Sequence, residues 1–197
     1  EIINTELVLA DMKTVEKSLE KNQKILNANK PEGKIAESAL TGLLAHLNEG
    51  LAARSFERDS KQNDVIKNLF LLTDKPMIYV ANVDDHSIDT DQLSKAKQIA
   101  ANNLSSFVTI NGKLESEMAD FDEEEKIIIL EDYNLKETGL TTLIKEAYNT
   151  LGLQTFFTCG EVEVRGWTIN KGESAVDAAA EIHTDFATKF IKAEIYT

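Results

Sequence analysis

The residues able to do chemistry fall into a few groups, and most of them fail on spacing. Cys159, His183 and Asp185 could in principle form a thiolate, imidazole and carboxylate set for nucleophilic attack. A single cysteine is thin support for that, and a buried cysteine beside a turn-capping histidine and aspartate is the expected arrangement. The three histidines, His46, His86 and His183, lie far apart with no cysteine pair or His-Glu-x-x-His spacing, so no metal site is expected. Gly33 and Gly112 each precede a lysine, but Ile35 and Leu114 follow, and neither glycine has another five residues before it. The phosphate-cradling loop Gly-x-x-x-x-Gly-Lys-Ser/Thr is therefore absent, and no catalytic residue is expected within these residues.

Two polar loops remain as candidate ligand contacts. Asn82-Val83-Asp84-Asp85 closes the apolar run Lys75 to Ala81, and Asn111-Gly112-Lys113 closes the run Phe107 to Ile110. Each run is expected to be a buried parallel strand, and the polar stretch Asp91 to Asn103 between them a helix, which makes a βαβ unit. In open α/β sheets ligands sit beyond the carboxyl ends of the strands, where both loops fall. A basic set completes the inventory. Lys13, Lys17, Lys21 and Lys24 are spaced by four, four and three, forming a stripe on one helix face that could meet RNA or simply be solvated.

The remaining elements follow from periodicity. Val8, Met12, Val15, Leu19, Asn22 and Leu26 make a narrow heptad seam, and Ala36, Leu40, Leu43 and Leu47 make a second after the turn at Asn29 to Gly33. Two antiparallel helices in a hairpin are predicted. Asp122-Glu123-Glu124-Glu125 reads as a helix start, because acidic residues in a first turn complement the helix dipole. Gly139 to Leu151 carries one apolar face, with Leu140, Leu143, Ile144, Ala147, Tyr148 and Leu151. From Leu153 the pattern predicts a strand at Thr155–Thr158, a strand at Val162–Ile169, a helix at Ser174–Ile182 and a strand at Phe190–Ile195, the opening of an incomplete β-grasp module.

The chain has 197 residues with a formal charge of −13, 42% hydrophobic and 28% charged residues. That composition is that of a globular protein of one or two domains, and no apolar run approaches the roughly 20 residues of a bilayer span. With one cysteine and no leader-like start, a reducing cytoplasmic setting is expected. The acidity argues against indiscriminate nucleic-acid binding, which is largely phosphate neutralisation. Its weight falls on residues 54–152, while residues 1–53 are nearly balanced, so a local RNA contact stays open. Helical periodicity at the very start and strand alternation at the end are expected of a fragment.

The stretch Leu72-Thr73-Asp74-Lys75-Pro76-Met77-Ile78-Tyr79-Val80-Ala81-Asn82-Val83-Asp84-Asp85 closely resembles the strand and base-recognition loop of the YchF family of Obg-like ATPases. Ile3-Asn4-Thr5-Glu6-Leu7 is similar to that family's entry into its helical domain. Leu151 to Thr158 resembles the junction to its TGS domain, and Glu163 to Ile169, His183-Thr184-Asp185-Phe186 and Phe190 to Ala193 resemble the TGS signature. The resemblance spans essentially the whole chain in order.

It implies an α/β multidomain protein: a helical coiled-coil insert over 1–53, the C-terminal half of a P-loop NTPase domain over 54–152, and a partial β-grasp, ubiquitin-like TGS domain over 153–197. It further implies a cytoplasmic ATPase that binds ribosomes through the large subunit or rRNA and hydrolyses ATP slowly, preferring ATP to GTP. Asn82 would stand at the base-recognition asparagine, Val83 at the residue whose backbone lies against adenine, and Asp85 at the family's glutamate. Asn111-Gly112 would form the second base loop. Adenine offers a donor at N6 and no N1 proton, so the bidentate acid grip that selects guanine has no counterpart. Phosphate-loop and magnesium-binding residues would precede Glu1, and the chain by itself is expected to be inactive. The alternative is a non-enzymatic adaptor that uses the hairpin and TGS domain to bind a protein or RNA.

Overall fold

The computed structural model describes residues 2–27, 31–83, 90–160 and 163–196. They form two compact units, Glu1–Met77 with Ala101–Ser105, and Ile78–Ala100 with Ser106–Thr197.

The first unit is helical. Helix α1 spans Ile2–Asn27 and α2 spans Pro31–Asn48, and the two pack along each other as both seams require. Val8 and Val15 from the first seam and Leu40, Leu43 and Leu47 from the second are buried, with Met12 and Leu19 packed against them. Burying each such leucine contributes about 1.5–3 kcal/mol. Asn22 occupies a buried seam position and donates through Nδ2 to the Gly33 carbonyl at 2.9 Å, so its amide is satisfied inside the pair. Gly50, at φ 79°, takes the left-handed conformation just beyond the end of α2, where a side chain would be strained.

The same core runs on past residue 53. A 3₁₀ turn at Ala53–Ser55 and helix α3, Ser60–Lys67, bring Ala53, Ile66 and Leu71 into the cluster. Helix α3 starts where Asp59 and Gln62 form a capping box. On the other side of α1 from solvent lies an unexpected polar group, the buried carboxylate of Asp11. It accepts hydrogen bonds from Leu72 N, Thr73 N and Thr73 Oγ1, each at 2.7 Å.

In the second unit β1, Ile78–Asn82, pairs in parallel with β2, Ser106–Ile110, with helix α4, Thr90–Asn102, between them in sequence. The expected βαβ order is present. The expectation that β1 is buried is not met: Val80 is 43% exposed, and Ile78, Tyr79 and Ala81 are only half-buried. A parallel pair has two faces to cover, and among the described residues this sheet has two strands. Helix α5, Gly112–Met118, follows β2 at once, then α6, Glu123–Asp132, and α7, Gly139–Thr150. The acidic run is a helix start, with Asp122 and Glu125 forming a capping box. Helix α7 packs on β2, but Leu140, Ile144 and Leu151 of its apolar face stay exposed.

Strands β3, Leu153–Cys159, and β4, Val164–Asn170, form an antiparallel hairpin, followed by α8, Ala175–Ile182, and α9, Thr184–Thr188. The Tyr148 hydroxyl on α7 is hydrogen-bonded to Thr168 and Thr155, which holds it below the usual phenol range. Trp167 donates from Nε1 to Thr158 Oγ1 at 2.9 Å, and the Arg165 guanidinium lies 4.2 Å from its ring centroid. The strand predicted over Phe190–Ile195 does not form: the described residues from Phe190 onward join no ladder, and Ile191, Ile195 and Tyr196 are exposed. Alternation sets which face each side chain takes, but a strand also needs a neighbour for its backbone N–H and C=O groups.

Candidate functional site

The carboxyl ends of β1 and β2 lie side by side, because the parallel register pairs Asn82 with Ile110. One further ladder bond, Val83 N to Ile110 O at 2.8 Å, carries the pairing past the end of β1. Both candidate loops therefore leave the sheet at the same edge, where open α/β sheets place ligands.

The asparagines then link the loops. Asn82 Oδ1 accepts from Gly112 N at 2.9 Å, joining residues thirty positions apart in sequence. That bond also settles which end of the Asn82 amide faces the protein, and leaves its Nδ2 hydrogens as the donors it can offer outward. The approach is close: a Cβ on Gly112 would lie 3.1 Å from Asn82 Oδ1. Only glycine leaves that space open. Asn111 caps α5 through Oδ1, which accepts from Leu114 N at 3.1 Å, and so fixes the turn on which Gly112 sits. Glu115, one turn into α5, takes Gly139 N at 2.6 Å and Leu140 N at 3.3 Å on its carboxylate. The anion thus closes the N-terminus of α7 and ties it to the helix behind the second loop.

The structure brings together Asn82, Val83, Asn111 and Gly112. Asp85 lies outside the described residues. Sequence reasoning missed α5 and the Glu115 anchor. The signal for the helix was present, since Asn111 three residues before Leu114 is a usable N-cap. Nothing in the spacing points from Glu115 to Gly139, which lies 24 residues on.

Lys13, Lys17 and Lys21 are exposed on α1, and the first two line an open groove with Glu6, Leu9, Ala10 and Thr14. The Lys24 side chain falls outside the described residues. The thiol arrangement does not assemble. Cys159 is exposed rather than buried, while His183 Nδ1 accepts from Asp185 N at 3.1 Å and caps α9, as expected of a turn-capping histidine. Among the described residues no group of three His, Cys, Asp or Glu side chains is placed to hold a metal, and no helix is long and apolar enough to cross a membrane.

Comparison with known proteins finds relatives along nearly the whole of this chain. The chain is 39% identical over 198 residues to the ribosome-binding ATPase YchF of Bacillus subtilis, covering 98% of this chain and 54% of that protein. It is 39% identical over 194 residues to the protein of the same name from Haemophilus influenzae, covering 98% and 53%. The chain is similar to a part of the YchF proteins. Residues 153–197 match the YchF-GTPase_C family model, described as a protein of unknown function (DUF933). The solved Schizosaccharomyces pombe YchF GTPase superimposes with a TM-score of 0.83 at 33% identity, covering 96% of this chain and 53% of that one. The chain thus spans about half the length of the YchF relatives it matches.

Proposed function

We propose that this chain supplies the base-recognition half of an ATP site in a ribosome-associated YchF ATPase. The observation that carries the reading is the Asn82 Oδ1 to Gly112 N bond at the common edge of β1 and β2. With Oδ1 engaged by the backbone, Asn82 presents an amide donor suited to a purine N7 acceptor. Every purine has that acceptor, so Asn82 selects the ring system. Discrimination between adenine and guanine falls to the Val83 backbone and to Asp85, whose shorter acid stands where the family has glutamate. Asn111 and Gly112 support the ring from the second loop. Glycine at 112 admits the Asn82 amide at close range and so keeps the two loops joined.

ATP is thus the proposed ligand and magnesium the accompanying ion, although the described residues offer no metal site and no step is assigned to one. In such enzymes phosphate and metal contacts supply most of the transition-state stabilisation, and these residues contain no phosphate loop, so the 197-residue chain alone is inactive as a hydrolase. In domain terms, residues 1–53 form a coiled-coil insert, 54–152 the C-terminal part of the nucleotide-binding domain, and 153–197 part of a β-grasp TGS domain. Lys13, Lys17, Lys21 and Lys24 form the face offered to rRNA, and the setting is cytoplasmic.

The test is an amide NMR titration of the chain with ATP, GTP and ribose 5-phosphate. ATP is expected to shift Asn82, Val83 and Gly112 amides, ribose 5-phosphate to leave them, and Asn82→Ala to abolish the response. Absence of any shift at these amides with ATP overturns the site and favours the adaptor reading. Measurable ATP turnover by the chain overturns the assignment of catalysis to other residues.

A further inference from the structure

Glu115 stands one turn behind the second loop, and its backbone and side chain hold two different elements. Its backbone N donates to the Asn111 carbonyl at 3.0 Å, which closes the first turn of α5 and fixes Gly112 within that turn. Its carboxylate accepts from Gly139 N at 2.6 Å and Leu140 N at 3.3 Å, the first two amides of α7. Helix α7 also has a cap of its own, since Thr138 Oγ1 accepts from Thr141 N at 3.1 Å. The carboxylate therefore adds a tie between helices that the cap of α7 does not supply.

That tie completes a ring of contacts around the base loop. Helix α7 rests on β2, and a Cβ on Gly139 would lie 3.0 Å from Ile110 Cγ2 and 3.1 Å from Glu115 Oε1. The start of the helix is thus wedged between the end of the strand and the carboxylate. Ile110 pairs with Asn82 across the sheet, and Asn82 Oδ1 accepts from Gly112 N. Asn82, Ile110, Gly139, Glu115 and Gly112 close on themselves within one compact unit. A single residue, Asn111, separates β2 from α5. Leu114 and Met118 hold α5 by burial, which is non-directional, whereas the carboxylate supplies a directional contact that sets where the first turn points. Opening the ring at Glu115 lets that turn pivot about Asn111 and carry the Gly112 amide away from Asn82.

We propose that Glu115 is a positioning residue for the base site, setting through the first turn of α5 where the Gly112 amide meets Asn82 and so how Asn82 faces a purine. The consequence for nucleotide rests on the adenine reading; the coupling of Glu115 to Gly112 does not. It is tested by amide hydrogen exchange on the chain without nucleotide, followed by titration with ATP. Glu115→Ala is expected to speed exchange at Gly139 and Leu140, and also several-fold at Gly112, leaving the amides of β4 unchanged, and to weaken ATP binding several-fold. Thr138→Ala, which removes the other cap of α7 without touching Glu115, is expected to speed exchange at Thr141 and leave Gly112 at the wild-type rate. Should Glu115→Ala fail to fold, Glu115→Gln, which sets an amide donor opposite Leu140 N, gives the same pattern at smaller amplitude. Gly112 at the wild-type rate in the variant that folds makes Glu115 purely a helix tie and overturns the proposal, as does equal loosening by Thr138→Ala. Undiminished ATP affinity in a variant whose Gly112 exchanges faster overturns it as well. A wild-type chain without ATP shifts, whose Glu115 variant still loosens Gly112, would sink the adenine reading alone.

Discussion

Thr73→Val offers the sharpest test of the energetics, because valine keeps the shape of threonine and removes only the hydroxyl. In the folded chain that hydroxyl donates to Asp11 Oδ2 at 2.7 Å and accepts from Ala53 N at 2.9 Å. Ala53 and Thr73 are both buried, so water cannot replace either partner. A hydrogen bond to a charged group contributes about 1.5–3 kcal/mol, and a buried amide left without an acceptor costs about 1–3 kcal/mol. The expected loss is about 3–5 kcal/mol, a large share of the stability of an ordinary domain. Thr73→Ser keeps the hydroxyl and loses one methyl, for about 1 kcal/mol. Urea unfolding followed by far-UV circular dichroism separates the two. With a slope of about 2 kcal/mol per molar, valine lowers the midpoint by about 1.5–2.5 M and serine by about 0.5 M. If serine costs as much as valine, the hydroxyl is not what binds Asp11 and Ala53 together and the reasoning fails.

Two further outcomes are expected. Asp177 Oδ2 accepts from Ser174 Oγ and Ser174 N, and these bonds hold its carboxyl below the usual aspartate range. A group depressed in the folded state stabilises it above the unfolded pKa, and that stabilisation is lost as pH falls through the lower folded value. In a carboxyl-carbon NMR titration Ser174→Ala is expected to raise the Asp177 midpoint; an unmoved midpoint would contradict the assigned cause. Charge reversal of Lys13, Lys17, Lys21 and Lys24 is expected to weaken cosedimentation with ribosomes and flatten its salt dependence. An unchanged salt dependence retires the stripe as an RNA contact.

The sequence disclosed whatever depends on local periodicity. Both helical seams follow from spacings of three and four, the β1–β2 pair from two apolar runs flanking a helical stretch, and the acidic helix from the charge in its first turn. Asn82 and Gly112 could be named from their positions after strands, yet their direct bond could not, since it spans thirty residues and depends on the register of two strands. The same limit hid Asp11. Between Val8 and Val15 it reads as an ordinary polar residue, and its partners lie 61 and 62 residues away. The over-reading at Phe190–Ile195 and the assumption that β1 is buried have one source: alternation and apolarity describe what a segment could bury, while coverage is decided by neighbours elsewhere in the fold.

The β3–β4 hairpin has a practical consequence. Cys159 is the sole thiol of the chain and is exposed at the end of β3, opposite Val164, while Trp167, the sole indole, stands three residues further along β4. Along the ladder that is about 10 Å. A small thiol-reactive quencher attached to Cys159 would sit within range of the Trp167 emission, with no residue introduced or removed. The hairpin carries its own optical ruler, and any partner that parts its strands would be seen as a gain of light.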